Sequence, residues 1–342
     1  MLDKTTLMRR EILEIPAAVE RLLSESADGT RRLAALAREK DPRYLISVAR
    51  GSSDHACTYL KYASELVLGL PMASVGPSVH SVYGAELRAK EALCLSISQS
   101  GQSPDIVSMT GALQASGALT IAISNTSDSP LATTADATLP LFAGPELSVA
   151  ATKTFVNSIV AGLWLIAEIR EDAALRAAIL ALPDHLDAAT RCDWSAAAKA
   201  VDRGSVFTLG RGPSWAISNE AALKFKETCL IHAESYSAAE VFHGPVSIVD
   251  RGFPVIVFAA ADQAETGICD TADALVEMGA DVFVTSARVA SAQTLPHVDT
   301  GHPLTDPIAA IVSFYGMVED LSRSLGIDPD TPRHLRKVTE TV

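Results

Sequence analysis

The 342-residue sequence predicts an α/β protein made of two similar domains, and two observations support this prediction. Strand-like apolar runs alternate with helix-length segments, which is typical of a parallel sheet covered by helices. The same succession of elements then occurs a second time, because Gly51 and Gly212 are 161 residues apart and Leu93 and Val255 are 162 apart. A repeat of this length indicates a duplicated domain and not a short solenoid repeat.

The predicted strands fall at corresponding places in the two copies. In the first copy they are followed by polar loops and cover Tyr44–Val48, Leu93–Ile97 and Leu119–Ile123. In the second copy, Ser205–Leu209 and Val255–Phe258 correspond to the first two of these strands. We therefore expect the two copies to share one sheet topology.

The domain limits follow from the repeat and from a change in composition. The polar segment Pro183–Trp194 follows an alanine-rich predicted helix, and we place the boundary between the copies in this segment. We predict an N-terminal helical segment over residues 1–35, a first domain over 36–182 and a second domain over 193–327. A Pro-containing polar tail covers 328–342.

The charge balance limits the classes of partner. Lys and Arg number 28 against 41 Asp and Glu, for a net charge of −13. Nucleic acids and anionic membranes require a basic face, so we expect neither as a partner. A small anionic substrate remains compatible, because helix N-termini bind anions locally.

The cysteines and the apolar segments indicate a cytoplasmic protein. The five cysteines are widely spaced, none has metal-ligand spacing, and we expect all to be buried and reduced. The start of the sequence carries charges where a signal peptide needs an apolar core. The most apolar helix candidate, Phe155–Ala167, is too short to cross a bilayer and is predicted to be a core helix.

A hydroxyl-rich loop follows the second predicted strand, in the stretch SISQSGQS from Ser96 to Ser103. A strand, a loop of glycine and hydroxyls, and a helix N-terminus together favour anion binding. The Gly-Lys-Ser/Thr of a nucleotide-binding P-loop is absent, so a magnesium nucleotide is not indicated. Helix capping by Ser103 or Asp105 is the alternative explanation. Ser52 and Ser53, at the end of a neighbouring strand, favour the phosphate site.

A stripe of charges lies on the predicted helix Ile217–Ile231. Glu220, Lys224 and Glu227 have i, i+4, i+7 spacing and therefore share one face. This pattern fits either a solvated face or a cleft where a carboxylate transfers protons. The apolar flanks of the stripe favour the cleft, but the alternatives stay open on the sequence alone.

Two further residues are candidates on weaker grounds. His243 precedes Gly244-Pro245, which places a titratable imidazole on a loop or at the end of an element. Lys337 lies in the polar tail and by itself resembles a surface lysine. A lone histidine is more often structural than catalytic, so neither residue is assigned by its own pattern.

These motifs together resemble the sugar isomerase (SIS) family of phosphosugar-binding domains, and within it the isomerase half of glucosamine-6-phosphate synthase. The resemblance covers almost the whole sequence and rests on several motifs in the same order: Met8–Pro16, Arg50–Ser53, Ser98–Gly101, Val149–Lys153, Glu220–Glu227, Ile231–Glu234, His243–Pro245 and Lys337. It implies two tandem SIS domains, each a three-layer αβα sandwich around a flavodoxin-like parallel sheet.

The resemblance also implies a role for each candidate residue. Glu227 would move a proton between C1 and C2 beside Lys224, His243 would open the sugar ring from a neighbouring subunit, and Lys337 would form a Schiff base with a ketose. The remaining positions would contact the phosphate or the sugar: Ser52, Ser53, Ser98, Gln99, Ser100, Ser103, Val149, Ala151 and Glu220. Ala151 replaces a serine that is usual in the synthase, so one contact is expected to be missing, and Ala221 replaces a glycine.

The implied activity is a stand-alone, isomerising glucosamine-6-phosphate deaminase that forms fructose 6-phosphate and ammonia. The sequence starts where the glutaminase half of the synthase would end, so we expect the isomerase chemistry to run in this reverse direction. We expect no metal or cofactor, and a homodimer with active sites near the subunit interface. The alternatives are a deglycase for fructosamine 6-phosphates or glucoselysine phosphate, a simple aldose–ketose phosphate isomerase, and a non-enzymatic sugar-phosphate sensor. A sensor has no need of Glu227, His243 and Lys337, which favours an enzyme.

Overall fold

In a computed structural model of the chain, which describes residues 5–201, 204–335 and 337, contacts divide the residues into two units. We call residues 17–146, 153–180 and 337 the first-repeat unit. The second-repeat unit consists of residues 5–16, 147–152, 181–201 and 204–335. The domain limits predicted from the sequence stay predictions, and parts of the N-terminal segment and of the tail lie outside the described residues.

A five-stranded parallel sheet forms the centre of the first-repeat unit, in the order β2-β1-β3-β4-β5. Its strands are β1 Tyr44–Val48, β2 Met72–Ser74, β3 Ala92–Ile97, β4 Leu119–Ser124 and β5 Ala137–Pro140. All residues of β3 and β4 are buried, so helices or loops cover both faces of this part of the sheet. Such continuously apolar strands are typical of parallel sheets.

The helices associated with the first sheet are α2 Ile15–Glu25, α3 Ala27–Lys40, α4 Ser52–Ala63, α5 Ser78–Ser81, α6 Pro104–Ala115, α7 Pro130–Thr134, α8 Lys153–Arg170 and α9 Ala173–Leu180. A π-helical turn, Ser64–Leu68, continues α4. The predicted core helix is part of α8, whose residues from Lys153 to Glu168 are all buried. No helix in the described residues is long and apolar enough to cross a membrane.

The second-repeat unit contains a second parallel sheet, in the order β10-β9-β8-β6-β7. Its strands are β6 Ser205–Gly210, β7 His232–Ser237, β8 Pro254–Val257, β9 Asp281–Val284 and β10 Gln293–Thr294. Its helices are α1 Leu7–Leu13, α10 Leu182–Ala189, α11 Ser195–Ala200, α12 Pro213–Cys229, α13 Glu265–Glu277 and α14 Asp306–Ser324. Short 3₁₀ helices cover Val241–His243 and Pro245–Ile248.

The two sheets have the same topology. Numbered within each copy, both have the strand order 2-1-3-4-5, which is the flavodoxin-like order. The predicted fold class, two tandem α/β domains with parallel sheets, is therefore confirmed. For the five strands that the sequence predicted, which are β1, β3, β4, β6 and β8, each predicted end lies within one residue of the observed end.

Local backbone chemistry explains the limits of α12. Pro213 occupies the first helical turn, where its missing N–H costs no hydrogen bond, so the helix begins before the predicted Ile217. Leu230 has a left-handed backbone (φ 56°) and ends the helix after Cys229. The charged stripe therefore extends from the middle of this helix to its last turn.

The five cysteines are free, but the expectation that all are buried is wrong for one of them. Cys57, Cys94, Cys229 and Cys269 are buried, whereas Cys192 is only half-buried. Cys192 follows α10 in a connecting segment, where fewer residues cover a side chain.

Candidate active site

The serine loop, residues Ser98–Ser103, connects β3 to α6 at the carboxyl edge of the first sheet. In the 2-1-3-4-5 order, β2 is added on one side of β1, and β3, β4 and β5 are added on the other side. The carboxyl ends of β1 and β3 therefore form the topological switch point of the sheet, which is where ligands bind in open α/β sheets. Ser52 and Ser53 begin α4, directly after the loop that follows β1. The two serine-rich segments thus follow the two strands of the switch point.

Internal hydrogen bonds give the serine loop its shape. Ser98 Oγ accepts a hydrogen bond from Gly101 N at 3.1 Å, and Ser100 Oγ accepts one from Gln102 N at 3.3 Å. Gly101 has a φ of +63°, and a Cβ there would lie 2.1 Å from Ser129 Oγ. No residue with a side chain fits this position, so the loop requires its glycine.

The capping explanation fails for the hydroxyl of Ser103. Ser103 is at the N-cap of α6 with an extended backbone, but its side chain makes no capping hydrogen bond. At Ser129, which caps α7, the side chain accepts a hydrogen bond from Ala132 N, as a capping serine should. The half-buried Ser103 hydroxyl is therefore not committed to the helix end, which favours the ligand-binding interpretation.

An ion pair that the sequence analysis did not anticipate links the two loops. Both Nε and Nη2 of Arg50 lie 2.6 Å from Asp105 Oδ2. Asp105 is 1% exposed and is the second residue of α6, while Arg50 follows β1. A guanidinium is thereby fixed beside the serine loop.

The charged stripe of α12 is buried, so the solvated-face interpretation is wrong. The side chains of Glu220 and Lys224 are both 0% exposed, and Glu227 is 19% exposed. Lys224 Nζ lies 3.1 Å from Glu220 Oε1 and donates a short hydrogen bond to Glu227 Oε2. Tyr315 Oη donates to Glu220 Oε1 at 3.3 Å. Glu227 is the partly exposed carboxylate of this cluster.

Two carboxylates keep the buried lysine charged. Burial alone would lower the pKa of Lys224, but the charges of Glu220 and Glu227 and their hydrogen bonds raise it well above its ordinary value. Lys224 therefore serves as a permanent cation beside Glu227 at neutral pH. A positive charge thus lies beside the carboxylate that would act as a base.

His243 ends the 3₁₀ helix Val241–His243 and is exposed. Its position is fixed by the backbone hydrogen bond from His243 N to Glu240 O at 2.8 Å. Phe242 and Ile248 beside it are 41% and 55% exposed. Two exposed apolar side chains thus belong to the same short segment of the chain as the exposed His243.

Val149 and Ala151 lie in the connecting segment 147–152, and both are half-buried. The carboxylate of Glu11 accepts hydrogen bonds from the backbone N–H groups of Leu147 and Ser148. The N-terminal segment thus fixes the connecting segment within the second-repeat unit.

Lys337 is paired with a buried carboxylate in the first-repeat unit. Its Nζ donates to Glu146 Oε2 at 2.8 Å, and the Glu146 side chain is 0% exposed. Thr154, in the first turn of α8, donates to Glu146 from its backbone N at 3.1 Å and from Oγ1 at 2.7 Å. Burial would raise the pKa of Glu146, but the charge of Lys337 and these hydrogen bonds lower it below its ordinary value.

The loop of the second copy that corresponds to the serine loop is lined by carboxylates. It covers Ala259–Gln263, and its Ala261 N–H donates to Asp306 Oδ2 at 3.2 Å. Burial, with the charges of Glu265 and Asp306, raises the pKa of Asp262. Asp306 supplies an anionic oxygen from within the protein at the place where the first copy has hydroxyls.

The structure brings some of the predicted residues together. Glu220, Lys224 and Glu227 form one cluster, and Ser98, Gln99, Ser100 and Ser103 lie in one loop. Sequence reasoning missed Glu146, and it did not foresee that Arg50, named only within a motif, pairs with Asp105, named only as a capping candidate. A signal existed for Arg50, which precedes Gly51 as Arg211 precedes Gly212 in the second copy. The described residues contain no group of three or more His, Cys, Asp or Glu side chains that could bind a metal ion.

The repeated sheet order and the hydroxyl-rich loop at one switch point define the class of the protein, a duplicated α/β protein with flavodoxin-like domains. The SIS domain profile matches residues 40–168 and 201–282, which is more than half of the chain. The chain therefore belongs to the SIS domain family, as the sequence motifs predicted.

Individual proteins extend this comparison. The chain is 31% identical to the glutamine–fructose-6-phosphate aminotransferase (isomerizing) of Aeropyrum pernix, over 96% of this chain and 56% of that protein. It thus spans little more than half the length of this relative. It is 59% identical to a proposed phosphosugar isomerase from Silicibacter pomeroyi, with a TM-score of 0.93 over 95% of this chain and 100% of that chain.

A glucosamine-6-phosphate deaminase from Thermotoga maritima has the same fold. The TM-score is 0.78 over 98% of this chain and all of that chain, but only 20% of the aligned residues are identical. This likeness concerns the fold alone.

Proposed function

We propose that the chain is a phosphosugar isomerase that acts as an isomerising deaminase, converting glucosamine 6-phosphate and water to fructose 6-phosphate and ammonia. The observation that carries the proposal is the buried Glu220–Lys224 pair that positions Glu227, the partly exposed carboxylate of the cluster. A buried ion pair of this kind is costly to desolvate and is weak support for stability, so a chemical role explains it better.

The proton transfer can be written for Glu227 as base. In the open-chain amino sugar, the Glu227 carboxylate removes the proton from C2, and the C1 carbonyl oxygen takes a proton from the 2-ammonium group of the substrate as the enolamine forms. Glu227 then returns its proton to C1, which leaves a protonated imine at C2. The neutral amine of Lys337 adds to that carbon and ammonia leaves, which gives the Schiff base between Lys337 and the open-chain ketose. Water then hydrolyses this Schiff base and releases fructose 6-phosphate and the lysine amine. Lys224 holds the Glu227 carboxylate by a hydrogen bond before the first step.

The other candidate residues take supporting roles in this scheme. The serine loop, with Ser52 and Ser53, binds the 6-phosphate by hydroxyl and backbone donors. His243 opens the sugar ring as acid and base, and Lys337 forms the Schiff base with the open-chain ketose. The similarity to the Silicibacter pomeroyi protein over nearly the whole chain supports the general activity, sugar-phosphate isomerisation.

We also propose that the working form is a homodimer in which His243 serves the active site of the partner subunit. The exposed apolar side chains of Phe242 and Ile248 beside His243 support this proposal, because an oligomer interface would cover them. Because these side chains belong to the same segment as His243, formation of the dimer would also complete the active site of the partner subunit.

A product assay tests the deaminase. The purified protein is incubated with glucosamine 6-phosphate, N-acetylglucosamine 6-phosphate and a fructosamine 6-phosphate of lysine, and ammonia, free lysine and fructose 6-phosphate are measured. We expect ammonia and fructose 6-phosphate from the first substrate and a loss of both in Glu227→Gln. The matched control is Glu277→Gln, an exposed glutamate of the same unit, which should retain activity.

The other outcomes separate the alternatives. Release of free lysine from the glycated substrate, without ammonia from glucosamine 6-phosphate, would identify a deglycase. Binding of sugar phosphates without any product would identify a sensor. Equal activity in wild type and Glu227→Gln would remove Glu227 from the mechanism.

A further inference from the structure

Arg50 lies at the switch point of the first sheet and was not assigned a role by the sequence motifs. Its Nε and Nη2 contact Asp105 Oδ2, each at 2.6 Å. Asp105 comes two positions after Ser103 of the serine loop, and Arg50 comes two positions before Ser52. The ion pair thus joins the two segments that we propose to bind the phosphate, and all of these residues belong to the first-repeat unit.

The negative charges at the proposed phosphate site have to be balanced by a positively charged side chain. A sugar phosphate carries roughly −1.5 to −2 charge at neutral pH, while serine and glutamine side chains are neutral. Asp105 adds a buried negative charge in the first turn of α6, where it would repel an anion bound at the helix N-terminus. Without Arg50, the proposed phosphate site would contain hydroxyls and a repelling carboxylate.

Arg50 has donors left after its contact with Asp105. A guanidinium has five N–H groups in a fixed planar array, and two of its nitrogens are turned to Asp105. The side chain remains 47% exposed, in contrast to the buried carboxylate that orients it. Arginine in this arrangement suits the geometry of a phosphate.

We propose that Arg50 binds the 6-phosphate of the substrate directly and that Asp105 is the residue that positions it. This rests on the proposed function, because it takes a sugar 6-phosphate as the ligand. Arg50 thereby selects phosphorylated over neutral sugars, and the serine loop supplies the remaining donors.

The second copy offers a matched control. Arg211 precedes Gly212 as Arg50 precedes Gly51, and it is also exposed. The loop of that copy contains no serine, and its Ala261 N–H donates to Asp306. Arg211 is therefore an arginine in the same repeat position without a hydroxyl-rich loop beside it.

Calorimetric titration of the full chain tests the proposal, with fructose 6-phosphate, fructose and inorganic phosphate as probes. We expect Arg50→Gln to weaken the binding of fructose 6-phosphate and of phosphate by about tenfold or more, which corresponds to about 1.4 kcal/mol of binding free energy. The affinity of Arg50→Lys should lie between those of the wild type and of Arg50→Gln, because lysine keeps the charge but lacks the planar array of donors. Arg211→Gln should bind like the wild type.

A double-mutant cycle separates direct contact from simple charge neutralisation. If Arg50 only neutralises Asp105, the double variant Arg50→Gln, Asp105→Asn regains wild-type affinity, and the proposal is overturned. If Arg50 contacts the phosphate, the double variant stays weak. Thermal unfolding of each variant checks that the fold is retained, and the double variant avoids an unpaired buried carboxylate.

The result is separable from that of the deaminase assay. If the wild type binds fructose 6-phosphate and Arg50→Gln binds it equally well, the role of Arg50 is wrong while the proposed function stands. If the wild type binds none of the phosphate probes, the proposed function itself fails.

Discussion

Lys337 Nζ lies 2.8 Å from Glu146 Oε2, so the lysine proposed to form a Schiff base is held in an ion pair with a fully buried carboxylate. The amine must lose a proton before it can attack a substrate carbon, and Glu146, whose pKa is lowered below its ordinary value, is too weak a base to keep that proton, so the proton passes to solvent. When the protonated imine forms, the positive charge returns to the same nitrogen, and the ion pair with Glu146 is restored. The pair thus fits both the resting and the covalent state of Lys337.

The Glu146 pair predicts a dependence of stability on pH. The pKa of Glu146 is lower in the folded protein than in the unfolded chain, where it is about 4.3. Its stabilising contribution is therefore present above that value and is lost as the pH falls through the folded-state pKa. Urea unfolding of wild type and Glu146→Gln from pH 6 to pH 3 should show the larger loss of stability in the wild type. The exposed Glu39→Gln serves as control, and parallel pH curves for wild type and Glu146→Gln would contradict the prediction.

The buried lysine of α12 predicts a large loss of stability when its charge is removed. Lys224→Met leaves Glu220, which is 0% exposed, without its cation, and breaking a buried pair costs about 3–5 kcal/mol. The exposed neighbour Lys226→Met should cost less than about 1 kcal/mol. The free energy of unfolding from urea titration measures both. A Lys224→Met protein as stable as Lys226→Met would mean that Glu220 is neutral in the fold.

The proposed dimer predicts complementation between inactive variants. Glu227→Gln and His243→Ala are each expected to be inactive as deaminases. If His243 serves the partner subunit, mixed dimers contain one intact site, and a subunit-exchanged equal mixture should recover roughly a quarter of wild-type activity. A mixture of Glu227→Gln with Glu227→Ala should recover none. Mixed dimers seen by mass spectrometry without activity would place His243 in the site of its own subunit.

The thiols predict selective labelling. Burial raises the pKa of Cys94 and of Cys229 to about 12, and it also raises the pKa values of Cys57 and Cys269. A maleimide at neutral pH should therefore react first with the half-buried Cys192 in the native protein. Cys192→Ser should remove the fast labelling, while unfolding should expose the remaining thiols. Equally fast labelling of a second cysteine in the native Cys192→Ser protein would contradict this.

The sequence predicted the fold well because the fold has a periodic and repeated signal. The apolar runs of β1, β3 and β4 are buried on both faces, and such strands are visible as short continuous runs between polar loops. The duplication then supported β1 and β3, because a corresponding strand was predicted for each of them in the second copy. Strand and helix ends were shifted where local backbone chemistry decided them, as at Pro213 and Leu230.

The candidate site was predictable only in part. The i, i+4, i+7 spacing placed Glu220, Lys224 and Glu227 on one face, but the same spacing describes a solvated helix, and only burial separates the two cases. Glu146 and Lys337 are 191 residues apart, so no local pattern connects them. Arg50 was visible in the repeat, but its partner Asp105 is chosen by how the strand ends meet, which spacing along the chain does not encode.

The hydrogen bond from Ala261 N–H to Asp306 has a consequence for stoichiometry. A loop whose donor is already satisfied by an internal carboxylate, and which carries acidic neighbours, repels the same ligand that the other copy is proposed to attract. Titration with a sugar phosphate should therefore saturate at one ligand per chain, although the chain contains the domain twice. Duplication in this protein leaves the second copy free to lose phosphate binding, because the first copy retains it. We therefore expect the second sheet to support the proposed catalytic residues and not to bind a second sugar phosphate.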